Sequence, residues 1–177
     1  MSRAILISIR PKWCELIASE KKTIEVRKTA PKIETPFKCY IYCTKPSFPH
    51  EDFLVFDAGK NKVKAFYGGG TVIGEFVCDS IFPLSFYASD ASFFDTEPPL
   101  SVPGTCLTDK EIAEYLGNGK TGYGRHISDL KIYDTPKKLG EFKRHDPTYD
   151  FSIFGEVSRT YSINRPPQSW CYVEELS

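Results

Sequence analysis

Long hydrophobic runs are absent from this sequence. No stretch approaches the roughly 18 consecutive apolar residues that a membrane-spanning helix needs, so we expect no membrane span. The apolar segment at residues 5–9 is ended by Arg10, Pro11 and Lys12 before it reaches the length of a signal peptide, and no small-residue cleavage site follows. We therefore expect a cytoplasmic protein.

A net charge of either sign is also lacking, since 23 Lys and Arg balance 23 Asp and Glu. This balance excludes a uniformly basic protein that coats long nucleic acids through many phosphate contacts. A local basic patch remains compatible with it, because electrostatic attraction depends on where charges lie as well as on their sum. The 41% hydrophobic and 14% aromatic residues suffice for a packed core, and 177 residues predict a single domain over residues 1–177.

Cysteine pairs with the spacing of a metal site are missing too. The six Cys include no C-x-x-C motif. Cys39 and Cys43 lie four positions apart on a predicted strand, which separates them by about 13 Å, too far to share one metal ion. Disulfide-stapled secreted domains are usually shorter and richer in Cys. We expect free, buried cysteines, no metal and no cofactor.

The hydrophobic pattern predicts many short strands and two helices. The first helix, residues 11–19, has Pro at its start and an apolar stripe at helical spacing. The second opens with a capping box, Thr108 and Glu111. Strand patterns cover residues 4–9, 23–28, 38–44, 63–67, 71–81, 122–133 and 170–173. Together they favour an α+β fold built as a small, partly open β-barrel with two or more short helices at its ends.

The most informative strand is residues 23–28, which alternates strictly. Ile24 and Val26 face one side, so we expect them to be buried, while Thr23, Glu25 and Arg27 face the other. Three polar side chains in a row on an open strand face are typical of a functional cleft. We expect that cleft to lie beside the first helix.

Basic residues surround the same strand. Lys12, Lys22 and Arg27 predict a small cationic recess for phosphate, in which the Arg fork can bind two oxygens. Lys22 next to Glu25 is also a candidate acid–base pair, provided that a pocket shifts their ionisation. The alternative is a solvated hairpin in which Glu25 pairs with Arg27 or Lys22.

Three further residues are candidates for the site. Tyr42 and Trp170 lie on predicted strands and are the right type of side chain to stack on an unpaired base; the alternative is that both belong to the core. His126 follows Arg125 in a Gly-flanked segment and is a weaker candidate for a general base. A single His at the start of a strand is more often structural.

Several segments resemble ASCH domains of the bacterial and prophage type. They are residues 5–13 (ILISIRPKW), 20–28 (EKKTIEVRK), 74–76, 126–133 and 167–173. The resemblance is most specific in the first 28 residues. It implies a PUA-like barrel, related to RNA-binding modules, with insertions at residues 45–70 and 82–106.

The resemblance also implies a cleft between the first helix and the barrel, lined by the Lys-Thr-x-Glu-x-Arg strand. Branches of the family are reported or proposed to bind RNA, to cleave RNA, or to deacylate an acetylated cytidine. Lys22 matches the Lys of the amidohydrolase branch and Arg27 its Arg. Glu25 stands where that branch has a Thr nucleophile, so the sequence departs from the branch at this position.

Three functions follow. The first is an RNA- or nucleotide-binding module that holds its ligand in the basic cleft through Lys12, Thr23 and Arg27. The second is a hydrolase, either a ribonuclease or a modified-nucleoside amidohydrolase, that uses Lys22 and Glu25. The third is a protein-interaction adaptor of a bacterial or phage regulatory system, with the two insertions as its contact surface.

Overall fold

The computed structural model describes residues 3–45, 53–57, 63–85, 102–117, 119–145 and 160–176. The helices are α1 (Pro11–Ala18) and α2 (Asp109–Leu116), with a 3-10 turn at Leu139–Glu141. The strands are β1 (Arg3–Ile9), β2 (Ile24–Arg27), β3 (Phe37–Cys43), β4 (Phe53–Asp57), β5 (Val63–Tyr67), β6 (Thr71–Cys78), β7 (Ile81–Ser85), β8 (Thr121–His126), β9 (Ser128–Lys137), β10 (Lys143–His145), β11 (Thr160–Ser162) and β12 (Trp170–Glu174).

A five-stranded sheet in the order β12-β1-β3-β6-β9 forms the centre of the fold. β1 pairs with β3 in parallel and with β12 in antiparallel orientation. Ile5, Ile7 and Ile9 pack into one core cluster, and Ala4 and Leu6 pack into a second cluster on the other face. Burial on both faces explains why β1 is a continuous apolar run in the sequence.

A second sheet, β2-β8-β7, supports the strand that the sequence singles out. Val26 is buried with Leu84, Ile112 and Leu116, which come from β7 and α2. The expected burial of Val26 is therefore confirmed, whereas Ile24 is only half-buried. Neither sheet closes on itself, since the strand orders are linear. This is the mixed, partly open architecture that the sequence predicts.

β6 approaches β9 closely at a glycine and ends earlier than the sequence pattern indicates. Gly74 lies at a close approach to β9, because a Cβ atom there would overlap the carbonyl oxygen of Lys131. The pairing of β6 shifts register next to this glycine. The strand predicted for residues 71–81 is shorter than expected, because it ends at Cys78.

The start of the predicted insertion at residues 82–106 belongs to a strand for which the sequence pattern gives no indication. β7 covers Ile81–Ser85 and pairs with β8 along its whole length. Its sequence, IFPLS, carries a proline and no regular alternation, so the strand gives no signal of its own. Residues 46–52, 58–62 and 86–101, which make up most of the two predicted insertions, lie outside the described residues.

The cysteines and helices agree with the sequence. Cys14, Cys39, Cys43, Cys78 and Cys171 are buried free thiols, and Cys106 is half-buried and also free. The capping box at the start of α2 forms as expected, with Thr108 and Glu111 exchanging hydrogen bonds. In the part of the chain that the structure describes, no helix is long and apolar enough to cross a membrane.

Candidate functional site

A cleft of about 600 Å³ opens between α1, β2, α2 and the segment that precedes β12. Its floor includes the polar face of β2, and its rim includes the exposed side of α2. The residues that line it are Ser8, Ile9, Arg10, Trp13, Lys22, Glu25, Val26, Arg27, Thr44, Leu107, Glu111, Glu114, Tyr115, Gln168 and Ser169.

Three charged side chains lie buried at the floor of this cleft. Lys22, Glu25 and Arg27 are only 2%, 6% and 8% exposed. The Glu25 carboxylate holds both cations, with Oε2 at 3.5 Å from Lys22 Nζ and Oε1 at 2.9 Å from Arg27 Nη2. The alternative of a solvated hairpin is therefore wrong, because these side chains are buried. The ion pairs that this alternative named do form, since Glu25 pairs with both Arg27 and Lys22.

Arg27 is fixed by groups from three parts of the chain. Its Nη2 atom donates to the Ser8 carbonyl oxygen at 2.6 Å, and Nη1 donates to Ser169 Oγ at 3.3 Å. Because Ser169 accepts this bond, its own hydroxyl hydrogen is free to point into the cleft. Arg27 thus joins β2 to β1 and to the segment before β12.

Lys22 is held just before β2 begins. Its Nζ atom donates to the Thr105 carbonyl oxygen at 2.6 Å and lies 5.2 Å from the centre of the Trp13 ring. Burial lowers the pKa of Lys22, and the negative charge of Glu25 opposes that shift. The ammonium is therefore easier to deprotonate than that of an exposed lysine.

Two aromatic rings form walls of the cleft. Trp13 projects from α1, and Tyr115 projects from α2 and is 39% exposed. The Lys28 ammonium lies 5.3 Å from the Tyr115 ring. The sequence analysis singled out neither ring as a member of the site. The position of Trp13 beside basic residues was the only available hint, and Tyr115 offered none.

Arg125 is another residue that the sequence did not single out, and it lies outside the lining of the cleft. It is fully buried on β8, directly opposite Glu25 in the strand pairing. Its Nη2 atom donates to the Thr29 carbonyl oxygen at 3.1 Å, and its guanidinium lies 5.1 Å from the Trp170 ring. Burial lowers the pKa of Arg125.

Lys12 and Thr23 lie outside the walls of the cleft. The Lys12 ammonium stacks on the Trp13 ring at 4.7 Å. Thr23 lines a separate cavity of about 220 Å³ that it shares with Lys22. Its backbone N–H donates to Gly104 at 2.8 Å, so the strand begins one residue later and the alternation does not extend to Thr23.

Tyr42, Trp170 and His126 are also not among the lining residues. Tyr42 is buried in the core cluster on the far face of the central sheet, since the alternation of β3 turns it away. Trp170 contacts Arg125 and donates from Nε1 to Thr29 Oγ1 at 3.1 Å. His126 pairs through Nδ1 with Asp79 at 2.7 Å, and both side chains are more than 40% exposed.

Metal-ligating side chains do not gather at this site. Within the described ranges, no group of three or more His, Cys, Asp or Glu side chains is arranged to hold a metal ion. The carboxylates of the cleft are Glu25, which holds Lys22 and Arg27, and Glu111 and Glu114 at the rim. Glu111 is engaged in the capping box of α2.

Comparison with known proteins gives a structural relationship. No protein-family model and no curated protein sequence matches the chain. Solved structures that resemble it include ASCH from Zymomonas mobilis and two point mutants of that protein. Each aligns over 97% of this chain and 88% to 91% of its own, with TM-scores of 0.56 to 0.57 and 17% identity. This chain has the ASCH fold.

The ASCH fold confirms the architecture that the sequence resemblance implies, open sheets with short helices. At 17% identity the likeness establishes the ASCH fold alone. The activity therefore has to be argued from the residues of the cleft.

Proposed function

We propose that this protein binds RNA or a single nucleotide in the cleft beside α1. The observation that carries the proposal is an excess of buried positive charge at the floor, where Lys22 and Arg27 face the single carboxylate of Glu25. Burying a charge without a partner is costly, so an anionic group of a ligand is the natural complement. Phosphate meets this need.

The walls of the cleft favour a nucleotide over a simple anion. The volume of about 600 Å³ lies in the range of small-molecule sites. Trp13 and Tyr115 offer aromatic surfaces on which a base can stack, and such stacking is worth about 1–3 kcal/mol per base. The ASCH fold, being PUA-like, is consistent with recognition of RNA.

Tryptophan fluorescence provides a direct test, because the chain has only two Trp residues and one of them lines the cleft. We expect nucleoside monophosphates and short single-stranded RNA to change the emission of Trp13. Trp13→Phe should abolish the change, and Trp170→Phe should retain it. No change with any of these ligands in wild type, together with no heat of binding in calorimetry, would reject the proposal.

A hydrolase is the second candidate, and one observation favours it. Lys22 has a lowered pKa and lies 3.5 Å from the Glu25 carboxylate, which is an arrangement suited to proton transfer. In this scheme, deprotonated Lys22 accepts a proton from water and Glu25 relays it. Arg27 neutralises the negative charge that develops on the substrate. With Glu25 in place of a hydroxyl nucleophile, water attacks directly and no covalent intermediate forms.

Turnover separates the two candidates. The substrates are short RNAs and acetylated cytidine, and the proteins are wild type, Lys22→Ala and Glu25→Gln. Loss of turnover in both variants, with ligand binding retained, supports the hydrolase. Its rate should rise with pH, because the base form of Lys22 is the active one. Binding without turnover in wild type supports the binding module.

A further inference from the structure

The charges buried in and behind the cleft do not balance. The buried charged side chains of the described residues are three cations, Lys22, Arg27 and Arg125, and one carboxylate, Glu25. Arg125 and Glu25 are directly opposed on neighbouring antiparallel strands, so both side chains point to the same side of that sheet. With the cations protonated, these described residues carry two positive charges that no buried carboxylate among them offsets.

Arg125 has few partners of its own. Both Glu25 oxygens are already engaged, one by Lys22 and one by Arg27. Arg125 donates through Nη2 to Thr29, while its buried Nε and Nη1 atoms have no hydrogen-bond partner among the described residues. Partnerless buried polar atoms of this kind call for an explanation.

Nearby thiols do not supply the missing negative charge. Cys39 and Cys78 are the cysteines that interact with Arg125. Burial raises the pKa of Cys39, and it raises the pKa of Cys78 to about 11. Both thiols are therefore neutral at neutral pH. Among the described residues no buried group other than Glu25 offsets these cations, and the remaining carboxylates of the cleft, Glu111 and Glu114, lie at its rim. A ligand that reaches the floor can supply the compensating charge.

We propose that the ligand carries a terminal phosphomonoester, whose two negative charges match the two uncompensated cations, and that an internal phosphodiester of RNA is the poorer ligand. This inference rests on the proposed function, since it assumes a nucleotide or RNA in the cleft. A phosphomonoester carries about −1.5 to −2 charges at pH 7, whereas a phosphodiester carries only about −1. The chemical class is thus a nucleoside monophosphate or the phosphorylated end of an RNA.

Some residues are placed to touch the ligand phosphate, whereas Arg125 acts on it from a distance. Lys22, Arg27 and the hydroxyl of Ser169 line the cleft and are placed to bind phosphate oxygens directly. Arg125 lies outside the lining and acts through its charge, which adds to the field at the floor. It is a positioning residue for the second negative charge, and it does not touch the ligand.

A series of ligands tests the charge match in wild-type protein. The probes are a nucleoside, its 5′-monophosphate, the methyl ester of that monophosphate, and a tetraribonucleotide with or without a 5′-phosphate. At pH 7.5 we expect the monophosphate to bind at least about tenfold more tightly than its methyl ester, a difference of about 1.4 kcal/mol. Comparing the affinities of the two tetranucleotides shows whether the phosphorylated end of an RNA also enters the site.

Lowering the pH provides a second readout. The monoester loses its second charge near pH 6, so its advantage over the methyl ester should disappear by about pH 5. The charged residues that line the cleft are Arg10, Lys22, Glu25, Arg27, Glu111 and Glu114. The same residues face both esters, so the ratio of the two affinities removes the part of any pH effect that the two ligands share.

Arg125→Met, which keeps much of the side-chain bulk, should reduce the preference for the monoester to less than about threefold while the methyl ester still binds. Arg125→Lys should restore part of the preference and remains available if the Met variant does not fold. Lys131→Ala, on the exposed part of β9, is the charge-matched control. Equal affinity for monoester and methyl ester overturns this inference and leaves the proposed function standing. Equal affinity for monoester and nucleoside overturns both, because the phosphate then contributes nothing to binding. Failure of every probe to bind overturns both.

Discussion

Glu25 and Arg27 point to the same side of β2, and the Arg27 guanidinium lies 2.9 Å from the Glu25 carboxylate. The other oxygen of that carboxylate faces Lys22. One acidic group therefore keeps two buried cations in place while it cancels only half of their charge. Glu25 therefore stabilises the buried Lys22 and Arg27, and it competes with an incoming anion for these two cations.

Glu25→Gln should separate these two effects. Removing one partner of a buried ion pair costs about 3–5 kcal/mol, so the free energy of unfolding should fall by about 3 kcal/mol. Affinity for a nucleoside monophosphate should rise about tenfold, because the competing negative charge is gone. Urea denaturation and calorimetry measure the two quantities. Weaker binding by a folded Glu25→Gln protein would contradict this account of the cleft.

Arg27→Ala should weaken the binding of short RNA more than Lys28→Ala. Arg27 is buried in the cleft and can form two charge-assisted hydrogen bonds, while Lys28 is exposed and stacks on Tyr115 at the rim. The affinity of wild type should fall with salt at a shallow slope, equivalent to about two or three phosphate contacts. Titrations at several salt concentrations measure both effects. Equal losses in the two variants would argue against a defined recess.

Val26→Asp should destabilise the fold strongly. The side chain is packed against Leu84, Ile112 and Leu116, where an ionised carboxylate has no partner. We expect a loss of about 4 kcal/mol in the free energy of unfolding, against about 2 kcal/mol for Val26→Ala, which removes only apolar area. Chemical denaturation of the two variants provides the comparison. If they were equally stable, the assigned facing of β2 would be wrong.

Gly74→Ala should also destabilise the protein, for a different reason. The added Cβ atom meets the backbone of Lys131, so β6 and β9 have to separate locally at a cost of about 1–3 kcal/mol. Gly140 is the matched control, because a Cβ atom there has no neighbour within 4 Å. Thermal melts should show a clear decrease for Gly74→Ala and almost none for Gly140→Ala.

Sequence patterns that span only a few residues were enough to predict some strands and helix starts. The alternation of Glu25, Val26 and Arg27 located β2 and its two faces, and the Thr108–Glu111 box located the start of α2. These signals work because they depend on backbone period and on hydrogen bonds between near neighbours. β7 was missed, since Pro83 and an irregular pattern hide a strand whose stability comes from pairing with β8.

The contacts that complete the site depend on residues far apart in the chain. Nothing near Arg27 indicates that Ser169 holds it, and nothing near Arg125 indicates that it lies opposite Glu25. Tyr42 was placed in the pocket because aromatic residues suit base stacking, but the direction in which β3 faces was undetermined. Only the order of strands in the sheets fixes these relationships.

The hydrogen bond from Arg27 to Ser169 closes a loop of 142 residues. Contacts of such long separation form late, because the entropy of closing the loop has to be overcome first. During synthesis Arg27 emerges from the ribosome long before Ser169 does. The residues of α1 and β2 are thus synthesised before β8, which pairs with β2, and before Ser169, which holds Arg27. We expect the cleft to be complete, and able to capture a ligand, only after β12 has docked on β1.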